Sequence, residues 1–212
     1  MKTQLKLRIG LLIIVMSSLV GCVSIKSYVD PTYSRATYND ITRRADPYKW
    51  RIVVEFQRNG THLPKADSEL MGNVERVVRA SGMAIPSPEG SSGQLKVVVN
   101  NIADMGTARA KGFGTGLTLG LVGSTISDYY EMEAELSMNG KIIRRSAYKH
   151  ALHSTVGNAS GPQGVEAMSP SASFSKVIEQ LMLNFLKDLQ QSGDLSSALP
   201  SRLDPFRGLF DG

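Results

Sequence analysis

Residues 129–152 read YYEMEAELSMNGKIIRRSAYKHAL. Tyr130, Met132, Ala134, Leu136 and Met138 alternate with Tyr129, Glu131, Glu133, Glu135 and Ser137, the period-two pattern of a strand with one face buried. Asn139-Gly140 follows. Both positions tolerate positive φ, so a two-residue type I′ turn fixes the register of a hairpin. Leu136 then opposes Ile143, Met132 opposes Ala147 and Glu135 opposes Arg144, which puts apolar against apolar on one face and acid against base on the other. Lys141 and Arg145 fall opposite Met138 and Ala134 on the apolar face, while Ile142 points away. The two bases are expected at a sheet edge or with only their stems buried.

Outward from the hairpin, the same reasoning places the other elements. Trp50, Ile52, Val54 and Phe56 share one face of a half-buried strand that ends at Asn59-Gly60. The period then changes: Leu70, Val74, Val77 and Val78 form a helical stripe over 67–80, with Asp67 or Ser68 to cap its start and Gly82 to stop it. Leu95 to Asn101 is a further strand, with a short one over Met83–Ile85 before it. Residues 154–168 read as a polar, glycine-rich loop. Ser169-Pro170 is an N-cap followed by proline at the first helical position, and the helix carries Phe174, Val177, Ile178, Leu181, Phe185 and Leu189 on one side, with Gly193 to end it. The order strand, helix, short strand, strand, strand, strand, helix predicts an α+β two-layer sandwich: a mainly antiparallel sheet of four to five strands with both helices on one face.

The chain opens MKTQLKLRIGLLIIVMSSLVGC. Lys2, Lys6 and Arg8 precede an apolar core, Ile9 to Val15, that suits a secretory signal and falls short of the ~20 residues of a spanning helix. Leu19-Val20-Gly21-Cys22 resembles the lipobox of bacterial lipoproteins. That resemblance implies that Cys22, the only cysteine, is lipidated and becomes the first residue of the mature chain. Val23 in place of an aspartate after it implies the outer membrane, on its periplasmic face, in a Gram-negative cell. The expected organisation is a signal peptide over 1–21, a lipidated tether over 22–49, one domain over 50–191 and a disordered tail over 192–212. In the tether, YVDPTY is similar to a short Asp-Pro segment that follows the anchor in several uncharacterised lipoprotein families.

The formal charge of +5 is partly the signal's. Without its three bases, 21 of the 24 Lys and Arg face 19 acids, a balance of +2 that gives no footprint for nucleic acid.

Residues 111–124, KGFGTGLTLGLVGS, admit three readings. A phosphate cradle needs a lysine after its glycines or Gly-x-Gly-x-x-Gly opening a helix; here Lys111 precedes them, the spacing is wrong and a strand follows. In a membrane or oligomer reading, Gly112, Gly116 and Gly120 form a small-xxx-small series among Phe113, Leu117 and Leu121. The stretch would insert partway, or supply strands to a barrel shared between chains, a plan similar to that of the curli-secretion channel lipoproteins. The preferred reading is a loop whose leucines cap the open end of the core. Together, GLTLGLVGSTISDYYEMEAELSMNGK resembles a pattern in uncharacterised outer-membrane lipoproteins, a resemblance that carries over no activity.

No reaction is legible. His150 and His153, three apart on a strand, fall on opposite faces, a poor arrangement for one metal. Glu131, Glu133 and Glu135 read as a solvated face opposite Arg144, and no nucleophile elbow is present. No cofactor, metal site or catalytic residue is expected. In the tail, Phe206, Leu209 and Phe210 are candidates for partner contact. The expectation is a non-enzymatic, lipid-anchored periplasmic envelope protein that binds a protein partner or supports envelope assembly; the alternative is a homo-oligomeric ring whose 112–126 segment enters the membrane.

Overall fold

The computed structural model describes residues 25–89, 92–103, 125–156, 161–162 and 164–197. Its strands are β1 (Ile25–Val29), β2 (Tyr48–Arg58), β3 (Thr61–His62), β4 (Ala84–Pro86), β5 (Gly93–Ile102), β6 (Thr125–Met138) and β7 (Lys141–Val156). The helices are α1 (Asp67–Ser81), α2 (Pro170–Gln191) and a short α3 (Asp194–Ser197). One sheet holds all these strands in the order β1-β7-β6-β5-β2-β3, with β4 paired to the start of β2 and β3 to its end.

The architecture is α+β, but the sheet is larger than expected and mixed. β2 runs parallel to both β5 and β4, while the other pairings are antiparallel. The parallel pair follows from connectivity. The chain leaves the end of β2, returns through α1 to the starting end, and lays β5 alongside in the same direction, as a crossover of this length allows. The two extra strands are β1, from residues expected to form the tether, and the two-residue β3 just after Asn59-Gly60; β7 also continues to Val156, into the stretch expected to be loop.

Both helices cover the same face. α1 buries Leu70, Val74, Val77 and Val78, and α2 buries Val177, Ile178, Leu181, Phe185 and Leu189, in one core with Trp50, Leu95, Val97, Val99, Met132 and Leu136 from the sheet. Each such leucine or phenylalanine contributes about 1.5–3 kcal/mol. A polar link closes the helix pair: Arg76 Nη1 donates to Glu179 Oε2 at 3.2 Å. Burial alone would raise the Glu179 carboxyl, but Lys176 and Arg76 hold it below its ordinary value.

The termini obey local rules with one exception. Gly82 closes α1 in the left-handed conformation at φ 68°, and Ser169 Oγ accepts the Ala172 N–H ahead of Pro170. Neither Asp67 nor Ser68 caps α1, however; Ala66 occupies that position. The Asp67 carboxylate instead accepts the Phe56 N–H at 2.7 Å and meets His62 at 2.8 Å, pinning the helix start to β2.

In the β6–β7 hairpin, Leu136 faces Ile143, Glu135 faces Arg144 and Met138 faces Lys141, as the turn predicts. Met132, however, faces Tyr148 and not Ala147. A bulge sets Ser146 and Ala147 against Glu133 alone, with Ala147 at φ 67°. The extra residue reverses the inward parity of β7, so that Tyr148 and Leu152 join the helix face. The bases on the apolar face are held by the end of the chain's last described helix: Lys141 and Arg145 both pair with Asp194 at the start of α3.

A candidate partner cleft beside the β7 bulge

The bulge and the turn after β1 frame a polar cleft. Bending of β7 at Ser146–Ala147 opens about 540 Å³ between this strand, Tyr33 and Arg35, and the side chains of Asn184, Lys187 and Asp188 on α2. Tyr148 forms part of its wall and donates its hydroxyl to Asp188 Oδ2 at 3.0 Å. Burial and that carboxylate both push the Tyr148 phenol well above its usual range, so it stays protonated. Arg35, Arg145, Lys149 and Lys187 surround the opening, against one carboxylate. Arg145 is committed to Asp194 and Lys187 reaches Asp40 at 3.4 Å. Lys149 stands opposite Glu131 in the strand register, so these cations sit among acids just outside the cleft, in a setting open enough to admit a charged group.

The turn that supplies Tyr33 and Arg35 is built by the YVDPTY segment. Asp30 is fully buried, and its Oδ1 accepts the Thr32 N–H at 2.9 Å, capping the turn Pro31–Tyr33. Its Oδ2 lies 3.4 Å from His153 Nε2, and His153 Nδ1 lies 2.8 Å from Ser127 Oγ. Tyr28 packs beneath Gly161, where an added Cβ would collide with the tyrosine ring. These contacts lock β1 onto β7 and aim Arg35 at the cleft. Sequence reasoning missed the Asp30 role; the signal available was Asp-Pro, a residue that caps ahead of one that starts a turn.

The Ser127–His153–Asp30 series brings together the residue types of a hydrolase triad, an association that no sequence pattern suggests. Its geometry differs from a working one. The Asp30–His153 contact is longer than a good hydrogen bond, His153 and Asp30 are buried, and Ser127 lies outside the walls of the cleft at the bulge. The series instead ties β6 and β7 to the turn after β1.

His150 is a separate case, on the opposite face from His153. It is fully buried, and its ring lies tilted 5.7 Å from Tyr33. Nδ1 lies 2.9 Å from the Ala151 N and 3.2 Å from the Ala151 carbonyl oxygen, while Nε2 has no hydrogen-bond partner among the described residues. Burial lowers this imidazole to about 4. Among the described residues, no three His, Cys, Asp or Glu side chains gather as a metal would require.

A second groove, about 530 Å³, opens at the other end of the helix layer. Phe56, Tyr130 and Phe174 line it, with Phe174 edge-on to Phe56 at 5.8 Å, together with the polar side chains of Arg58, Glu69, Asn101 and Asp128. Glu131 and Glu135 stand on the uncovered face, opposite Lys149 and Arg144 respectively, and Arg144 Nε donates to Glu135 Oε2 at 2.6 Å. Cys22, the segment with Gly112, Phe113, Gly116, Leu117, Gly120 and Leu121, and the tail with Phe206, Leu209 and Phe210 lie outside the described residues. No described helix is long and apolar enough to cross a membrane.

No protein-family model matches the chain, and neither does any curated protein. Among solved structures it is similar to a PelC dodecamer from Paraburkholderia phytofirmans, at 17% identity over 79% of this chain and 97% of that one, with a TM-score of 0.33. A point variant of the PelC dodecamer from the same organism gives 16% identity over 76% and 99%, with a TM-score of 0.30. A neuraminyllactose-binding hemagglutinin homolog from Helicobacter pylori gives 9% identity over 74% and 93%, with a TM-score of 0.34. Likeness at these values decides neither fold nor function.

Proposed function

We propose that the protein is a lipid-anchored binding module of the bacterial envelope, held through Cys22 on the periplasmic face of the outer membrane. Its cleft beside the β7 bulge takes an acidic group of an envelope protein partner without transforming it. The observation that carries this reading is the cleft itself: about 540 Å³ framed by strand, turn and helix, with Arg35, Arg145, Lys149 and Lys187 and one carboxylate in its walls, Arg145 and Lys187 also reaching Asp194 and Asp40 beyond them. Charge of one sign concentrated in a concave site draws opposite charge and speeds encounter.

Photoreactive residues placed singly at Arg35 and Asn184 in intact cells test it, with Glu133 and Phe206 as comparison positions. Capture of one protein from Arg35 and Asn184, lost on reversing the charge of Lys187, is the expected result. Turnover of any substrate that depends on Ser127 or His153 would defeat the non-enzymatic reading. Photoreactive residues at Phe113, Leu117 and Leu121 examine the ring-forming alternative: cross-links from them to lipid or to a second copy, with silence at Arg35, would put that alternative first.

A further inference from the structure

β1 begins at Ile25 and is hydrogen-bonded into the sheet from its first residue, since Ile25 pairs with Val156. Between Cys22 and this strand lie two residues. At the full reach of an extended chain, three peptide steps span about 10 Å. If Cys22 carries the lipid, as the proposed function holds, the anchor leaves no tether on which the domain can turn away. The end of the sandwich where β1 starts must then lie against the membrane.

That end has the surface this position requires. Ile25 is 50% exposed and Ile126 56% exposed, and both are among the few large apolar side chains left open on the described surface. The register puts them on one face, on either side of β7. Ile126 pairs with Ser154, whose hydroxyl meets Ser27 at 2.8 Å, two residues on from Ile25 on the same face of β1. Ser154 also lines the groove that holds Phe174, so the two isoleucines lie at the border of that groove, whose walls carry Glu69 and Asp128 as well as the aromatic rings. Lys26, exposed between Ile25 and Ser27, adds a cation where anionic headgroups lie.

We infer that this end, with Ile25 and Ile126, is a membrane-seating surface whose partner is the lipid headgroup and upper acyl region. Burying two isoleucine side chains adds to the acyl anchor and fixes the orientation of the domain, with the β6–β7 turn pointing away from the bilayer. This inference rests on lipidation of Cys22.

The test uses the lipidated full-length protein in vesicles of three parts phosphatidylethanolamine to one part phosphatidylglycerol. Ile126→Cys and Ile142→Cys are labelled separately with an environment-sensitive fluorophore, and nitroxide-bearing lipid is added as quencher. Ile142 is the matched control, since it is 51% exposed but lies beside the hairpin turn at the opposite end. Both substitutions are at open positions and leave the core intact. The expected result is that the label at 126 shifts to the blue and loses most of its emission to the quencher, while the label at 142 does neither. Acylated, vesicle-bound protein with no quenching at 126, or with equal quenching at 142, overturns the inference and leaves the lipoprotein reading standing. Mass spectrometry showing Cys22 unmodified overturns both.

Discussion

At the scale of single residues, the molecule turns on two buried polar groups at neighbouring strands. Asp30 is enclosed, caps the turn after β1 and faces His153. Replacing it with alanine removes a carboxylate that satisfies a backbone donor and strands the His153 ring. The expected cost is about 2–4 kcal/mol, read as a lower denaturation midpoint, with faster deuterium exchange at Tyr28 and Val29 than elsewhere in the sheet. Ser127→Ala removes only the outer partner of His153 and costs about 1 kcal/mol. His150 sets a pH limit. Its folded pKa of about 4 lies below the ordinary 6.5, so the unfolded chain takes up a proton that the folded one refuses. Stability therefore falls as pH drops from about 6.5 to about 4, by roughly 3 kcal/mol for this group, and the contribution is constant above and below that window. A titration of unfolding free energy against pH, flattened in this window by His150→Gln, checks the sign. A curve in which His150→Gln leaves the slope unchanged would remove His150 from the account.

At the scale of elements, the β7 bulge decides what the hairpin can do. Ala147 holds a left-handed conformation that costs an L-residue about 1–2 kcal/mol, so Ala147→Gly should stabilise the fold by up to about 1 kcal/mol and leave the cleft in place. Deleting Ala147 should do the reverse: the remaining strand would return Tyr148 and Leu152 to the open face and Lys149 to the core, and the protein should fail to give a cooperative unfolding transition. The hairpin also shows what a sequence can reveal. Asn139-Gly140 and the alternation on β6 are local, so the pairs Leu136–Ile143 and Glu135–Arg144 are readable without coordinates. The bulge leaves a fainter mark. Ile143 and Tyr148 are both inward yet five residues apart, an odd interval that only an inserted residue permits. Similarly, the strand–helix–strand run from Trp50 to Asn101 holds the parallel pairing of β2 and β5, but the hairpin's strong antiparallel signal masks it. β1 is harder still, because Ile25–Val29 is a short edge strand whose partner lies more than 120 residues away. Of the candidate site, Tyr148 and Asp188 carry no pattern of their own; backbone bending brings them together.

At the scale of the whole molecule, β7 connects the two proposed surfaces. From Ala147 beside the cleft to Val156 beside Ile25 is nine residues of strand, roughly 30 Å at the usual rise. A domain seated on lipid at the Ile25 end therefore holds the cleft clear of the headgroups, where a periplasmic partner can reach it. This arrangement separates two kinds of failure. Reversing Arg35 and Lys187 together, as Arg35→Glu with Lys187→Glu, alters side chains at the cleft's rim, away from the core and the seating surface. Capture of the partner in cells should fall about tenfold or more, and capture by the unaltered protein should weaken as ionic strength rises, because the attraction is between accessible charges. Vesicle binding and the thermal midpoint should hardly move, since surface substitutions away from packed features have small effects. A variant that keeps full capture would show that the partner's contact lies elsewhere on the domain, and a variant that loses vesicle binding would show that the cleft and the lipid-facing end are not the separate surfaces their positions along β7 imply.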